Sequence, residues 1–187
     1  YPVEILWYHK PLGELCTRKD CQQRPLIYDN LPQPENGKWI AIGRLDINST
    51  GLLLFTNRGD WAAAMMHPRA QWLRCYRVRV YGALPAHALD RLCGGIQLDG
   101  NLCRFAHISP VERAQEASRN HWYTVGVFTG RYRMIRRMFS TLDVQVNRLH
   151  RYAFGPITLP KSSKPGESGK IRPHLLLEWA NAQGLAV

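Results

Sequence analysis

The 187-residue sequence holds no uninterrupted apolar run near the roughly eighteen residues a membrane-spanning helix needs, and no charged-then-apolar leader opens it. The chain is therefore expected to be soluble and cytoplasmic. Its five cysteines (Cys16, Cys21, Cys75, Cys93, Cys103) are odd in number and form no Cys-x-x-Cys pair, which argues against a disulfide framework and a structural zinc site. Seven scattered histidines have neither a nucleophile partner nor ligand spacing, so no metal is expected. A glycine-rich phosphate loop is also missing, and no cofactor is expected. Acids are scarce: 14 Asp and Glu face 25 Lys and Arg, a formal net charge of +11. Lysine is scarce among the cations, since only Lys10, Lys19, Lys38, Lys161, Lys164 and Lys170 accompany the arginines. That excess of guanidinium over ammonium suits bidentate, planar contacts with phosphates and bases, and it points to a polyanionic partner.

What the sequence does contain is a succession of short strands with a few helices. Apolar runs at Val3–Tyr8, Trp39–Ile42, Gly51–Thr56, Leu102–Ile108, His121–Phe128 and Val146–Phe154 predict strands, and a second short run ending at Cys16 is expected to pair with the first. Between Cys75 and Tyr81 the residues alternate, with Tyr76, Val78 and Val80 on one face and Arg77 and Arg79 on the other. Helices are predicted for Arg58–Met66, from Pro85 to Cys93, and around Ile135, Met138, Phe139 and Leu142, which recur at helical spacing after Gly130. Lys161–Lys170 reads as a Ser/Gly/Lys/Pro linker before a short helix over His174–Ala182. The pattern predicts an α+β fold with a mixed, largely antiparallel sheet flanked by helices.

Three constellations could carry chemistry. Gly43-Arg44-Leu45-Asp46 lies between two apolar strands, where a short carboxylate can be held rigidly; equally, Asp46 could cap a turn with Arg44 as its partner. Arg131-Tyr132-Arg133-Met134-Ile135-Arg136-Arg137 concentrates four mutually repelling guanidiniums at a helix start, either as an anion site or as a solvated basic face. Tyr76 stands among Arg74, Arg77 and Arg79 as a stacking platform for an unpaired base, or as a core tyrosine beside Val78 and Val80.

With these residues on view the chain resembles the pseudouridine synthases of the ribosomal small-subunit synthase A family. The likeness runs from about Trp7 to Pro160: His9-Lys10-Pro11-Leu12-Gly13, Gly43-Arg44-Leu45-Asp46 through Asn57, Tyr76-Arg77-Val78-Arg79-Val80, Gly130-Arg131 through Phe139, and Phe154-Gly155-Pro156. Glu14-Leu15-Cys16-Thr17-Arg18 tilts it toward the members acting on large-subunit ribosomal RNA. The resemblance implies a cofactor-free uridine isomerase with Asp46 as the catalytic carboxylate. It implies further that Tyr76 stacks on the target uracil, Arg136 pairs with the aspartate and anchors the flipped nucleotide, and Lys10 lines the site. Arg44, Arg131, Arg133 and Arg137 complete the expected substrate-binding set. The expected partner is ribosomal RNA, with the protein a monomer. Residues 1–160 are expected to form the catalytic domain and 161–187 the linker and closing helix; the family's small N-terminal RNA-binding domain is expected to be missing, with Tyr1 a truncation point. The competing expectation is a non-catalytic RNA-binding or ribosome-assembly module, against which Asp46 argues, because an acid inside a cationic groove repels phosphate. Four Arg in residues 69–82 with no acid, and six Arg against Asp143 in 129–152, are expected to wall the RNA cleft.

Overall fold

The computed structural model describes residues 1–111, 119–131 and 133–187, so most of the polar loop expected over 112–120 lies outside the described residues, as does Tyr132. In chain order the first elements are strands β1 (Ile5–Lys10), β2 (Ile40–Ile42) and β3 (Thr50–Thr56), helix α1 (Gly59–Met66) and strand β4 (Arg74–Tyr81). Helix α2 (Ala86–Gly94) follows, with strands β5 (Ile96–Leu98), β6 (Asn101–Cys103), β7 (His107–Val111) and β8 (Asn120–Val127). Helix α3 (Met134–Ser140), strands β9 (Gln145–Phe154), β10 (Ile157–Thr158) and β11 (Ser168–Ile171), and helix α4 (Leu177–Ala182) follow, with short 3₁₀ segments at Pro68–Ala70 and at Pro173–Leu176, where the sequence predicts the closing helix to begin. Among the described residues no helix is long and apolar enough to cross a membrane. The chain divides into two compact units, residues 1–72 with 158–187, and residues 73–157.

The first unit is organised by β3, whose Leu52-Leu53-Leu54-Phe55 core is wholly buried on both faces, as a central strand requires. Strands β1 and β2 flank it in antiparallel register, and β11 pairs antiparallel with the far edge of β1. The stretch expected as a linker thus supplies an edge strand. Its register sets Trp7 opposite Gly169, where an added Cβ would stand 2.6 Å from the indole nitrogen, so only glycine fits under that ring. The run ending at Cys16 forms no strand. The turn at Pro11-Leu12-Gly13 takes the chain out of register, and its backbone groups pair elsewhere: Gly13 N–H with the Ile47 carbonyl (2.8 Å) and Leu15 N–H with that of Pro25 (2.9 Å). Helix α1 buries Trp61, Ala62 and Met65. Trp61 meets Trp179 of α4 edge-on at 6.0 Å, and Trp179 tilts against Trp72 at 4.7 Å. The Ala186 carbonyl accepts from both Trp61 Nε1 and Arg58 Nη1 at 2.9 Å, so the closing segment is tied onto this unit.

In the second unit the antiparallel order is β9-β4-β8-β7. The alternation of β4 is realised: Tyr76, Val78 and Val80 are buried, facing the layer to which α3 contributes Ile135, Met138 and Phe139. The predicted strand over Leu102–Ile108 is broken at Arg104-Phe105-Ala106. The Phe105 N–H turns aside to the Leu92 carbonyl of α2, leaving β6 to form a small hairpin with β5 while β7 joins the main sheet. The third helix starts at Met134, later than Gly130, with Arg133 before it in the left-handed region at φ 47°, and it ends at Ser140, so Leu142 falls in the following turn, only partly buried.

Candidate active site

Asp46 sits half-buried on the loop between β2 and β3. Within this loop the Ser49 N–H returns to the Asp46 carbonyl at 3.0 Å, closing a turn. Neighbouring sulfurs hold its entry, Cys16 Sγ accepting from Leu45 N–H (3.3 Å) and Met66 Sδ from Gly43 N–H (3.0 Å). Lys10, at the end of β1, is 0% exposed. Its ammonium donates to the carbonyls of Ser49 (2.8 Å) and Pro11 (3.0 Å) and reaches that of Ile47 at 3.5 Å. A buried cation thus grips the loop from beneath, on the residues just after Asp46. Burial holds the Lys10 pKa below the ordinary lysine value, opposed by the acidic groups of Cys16, Glu14 and Asp46. Buried Tyr8 donates its hydroxyl to Glu14 Oε1, and burial together with that carboxylate raises the phenol far above its usual range. Tyr8 and Glu14 went unassigned in the sequence, where Glu14 reads only as part of a motif and Tyr8 as an apolar strand residue. Arg44 lies on the same loop as Asp46 and is exposed.

The second unit carries the other predicted residues. Tyr76 is 7% exposed and faces Val125 across one ladder and Arg151 across the other, next to a bulge between Cys75 and Tyr76. Arg151 is itself 3% exposed and stacks on Phe154 at 5.3 Å, with Arg74 on the same ring at 4.8 Å. Nothing local in the sequence sets Arg151 apart from its neighbours; the bulge that puts it opposite Tyr76 is a tertiary feature. Arg77 and Arg79 lie on the opposite face of β4, over Tyr152 (5.3 Å) and Trp122 (5.7 Å). They do not share a wall with Tyr76, because successive residues of a strand point to opposite faces.

On α3, Met134, Ile135, Met138 and Phe139 are buried, while Arg133, Arg136 and Arg137 are partly exposed. Arg136 Nη1 reaches the Val146 carbonyl at 3.4 Å. Arg137 is tied to Asp99 at 2.8 Å, an exposed pair that orients the side chain more than it stabilises the fold. Arg131 precedes the helix and is exposed. Lys10, Arg44 and Asp46 are thus gathered in the first unit, and Tyr76, Arg131, Arg133, Arg136 and Arg137 in the second. Among the described residues no group of three or more His, Cys, Asp or Glu could hold a metal ion.

Comparison with known proteins supplies the remaining finding. A family model described as RNA pseudouridylate synthase matches residues 4–141. The Ribosomal large subunit pseudouridine synthase B of Buchnera aphidicola (strain Sg) is 40% identical over 164 residues, covering 88% of this chain and 63% of that protein. Its namesake in Pasteurella multocida is 44% identical over 162 residues, covering 87% of this chain and 46% of its own length. A crystal structure of a pseudouridylate synthase superposes with a TM-score of 0.79 at 26% identity, over 94% of this chain and 73% of that one. The chain therefore spans less than two thirds of the length of both curated relatives.

Proposed function

The chain belongs to the RNA pseudouridylate synthase family, and from that premise we propose that it isomerises a uridine of large-subunit ribosomal RNA to pseudouridine, with Asp46 as the catalytic carboxylate. The observation that carries this reading is the seating of Asp46 on a loop clamped by a buried ammonium. A capping aspartate needs no such support, whereas a carboxylate that must meet one atom of a substrate does. The order of the motifs from His9 to Pro160 supports placing the chain beside the ribosomal small-subunit synthase A group within the family.

The reaction breaks the bond between C1′ and N1 of uracil and joins C1′ to C5, with the C5 proton passing to N1. It is a net isomerisation that consumes no oxidant, reductant or water. A carboxylate can hold the detached intermediate covalently between the two bonds, which divides one difficult step into two easier ones. In this reading Tyr76 meets the flipped uracil and Arg136 the nucleotide's phosphate, while Lys10 acts from below as a positioning residue. Arg44, Arg131, Arg133 and Arg137 are assigned to the RNA backbone.

Tritium release from 5-tritiated uridine in ribosomal RNA transcripts tests the proposal. Asp46→Asn is expected to abolish release while transcript affinity stays within about twofold. Release at the parent rate would remove Asp46 from the mechanism. Retained transcript affinity in both proteins, with no release from the parent either, would favour a binding module.

A further inference from the structure

The second unit contains a cavity of about 480 Å³ that neither Asp46 nor Tyr76 lines. Its walls include Phe128, Leu102, Arg104 and Arg131, with Cys93 and Phe105 below them. Its volume falls within the usual range of small-molecule sites.

Two features of the walls are unusual. Phe128 and Leu102 are 48% and 56% exposed and line the same cavity, so that apolar surface is gathered at one place. Arg104 and Arg131 line the same cavity, and among the described residues neither side chain has a hydrogen-bond or ion-pair partner and no carboxylate is in the lining. A planar apolar surface beside two guanidiniums has the chemistry of a nucleotide: a base for the ring, a phosphate for the cations.

The walls are also held in place. The Phe128 carbonyl accepts from Arg74, whose guanidinium is stacked on Phe154. The Thr129 hydroxyl contacts Met134 Sδ at 3.5 Å. Leu102 lies over Gly95, where an added Cβ would stand 2.6 Å from Leu102 Cδ1, so the hairpin fixes that wall as well. Phe105 is 1% exposed, with its N–H bound to the Leu92 carbonyl. A preformed cavity loses little ordering free energy on binding.

We infer that this cavity is a second nucleotide subsite, which takes an unpaired nucleotide of the RNA substrate other than the uridine that reacts, its base on Phe128 and its phosphate on Arg104 and Arg131. The inference rests on the isomerase reading for the identity of the RNA, and it extends that reading by giving substrate selection an anchor away from the reacting base.

The test uses the whole 187-residue chain. Affinity for a large-subunit ribosomal RNA transcript is read by filter binding over a salt series, turnover by tritium release, and folding by thermal unfolding. Phe128→Ala is expected to raise Kd and KM about tenfold with kcat and Tm unchanged, and Phe128→Trp to restore both. Arg104→Ala is expected to weaken binding and lower the salt slope by about one, whereas exposed Arg172→Ala in the first unit, matched in charge, leaves affinity within about twofold. Parent-like affinity in Phe128→Ala, equal losses in Arg104→Ala and Arg172→Ala, or a fall in kcat at unchanged KM would each overturn the subsite. Competition by free uridine monophosphate as strong as by the transcript would overturn its assignment to an RNA strand. A parent that releases no tritium, while Phe128→Ala still weakens transcript binding, would refute the isomerase reading and leave the subsite standing.

Discussion

Replacing Lys10 by methionine keeps the length and most of the volume of the side chain while removing its charge and its three donors. In the native protein those donors meet the carbonyls of Ser49 and Pro11 at 2.8 and 3.0 Å, with that of Ile47 at the edge of range, in a site with no solvent access. A hydrogen bond from a charged donor is worth about 1.5–3 kcal/mol, and an acceptor left buried without a partner costs about 1–3 kcal/mol. Against this, the variant no longer has to bury an ammonium, the effect that lowers the Lys10 pKa. The balance is a loss of about 3 kcal/mol, or about 6–12 °C in Tm for a chain of this size. The loop that carries Asp46 loses its anchor in the same step, so tritium release well below the new Tm should fall by about tenfold or more, mainly in kcat. Thermal unfolding by circular dichroism and release assays on the same preparation check both numbers. An unchanged Tm with lost activity would refute the reasoning, because it would mean that the ammonium acts on substrate and leaves the loop unsupported. A lowered Tm with full activity below it would show that the clamp stabilises the fold without placing the carboxylate.

Arg136→Ala is expected to lower turnover and to reduce the slope of log affinity against log salt by about one, measured by filter binding; an unchanged slope would remove it from phosphate contact. Gly169→Ala should lower stability by about 1–3 kcal/mol in denaturant titration, because the new methyl displaces the Trp7 indole; no loss would mean that the edge strand yields without cost. Glu4 links stability to pH: burial raises its pKa, but the N–H groups of Glu35 and Asn36 and the Lys170 ammonium outweigh it and leave the carboxyl below its ordinary value. The folded state thus favours the carboxylate, whose stabilisation is present above the unfolded pKa and lost as pH falls through the folded one. The Tm difference between the parent and Glu4→Gln should accordingly be greatest near neutrality and close as pH falls below the ordinary carboxylate range; a gap constant with pH would contradict it.

Local chemistry made much of this protein legible before any coordinates. Period-two alternation placed Tyr76, Val78 and Val80 together and Arg77 and Arg79 opposite, and helical spacing put Ile135, Met138 and Phe139 on one buried face, because both patterns depend only on backbone geometry and the burial of apolar side chains. The motif around Asp46 was equally plain, since it is contiguous. What the sequence could not reveal were features made by residues far apart in the chain. The sequence sets Lys10 at a turn and, by resemblance, in the lining of the site; only when β1 and β3 pair and close water away from it does its charge have to seek the carbonyls of Ser49 and Ile47. Ser168–Ile171 has the composition of a linker and becomes a strand only because β1 offers an unpaired edge. The cavity beside Phe128 likewise has no sequence signature. Its walls come from α2, the β5–β6 hairpin and the end of β8, and tertiary folding alone leaves an exposed aromatic ring lining one cavity with two arginines.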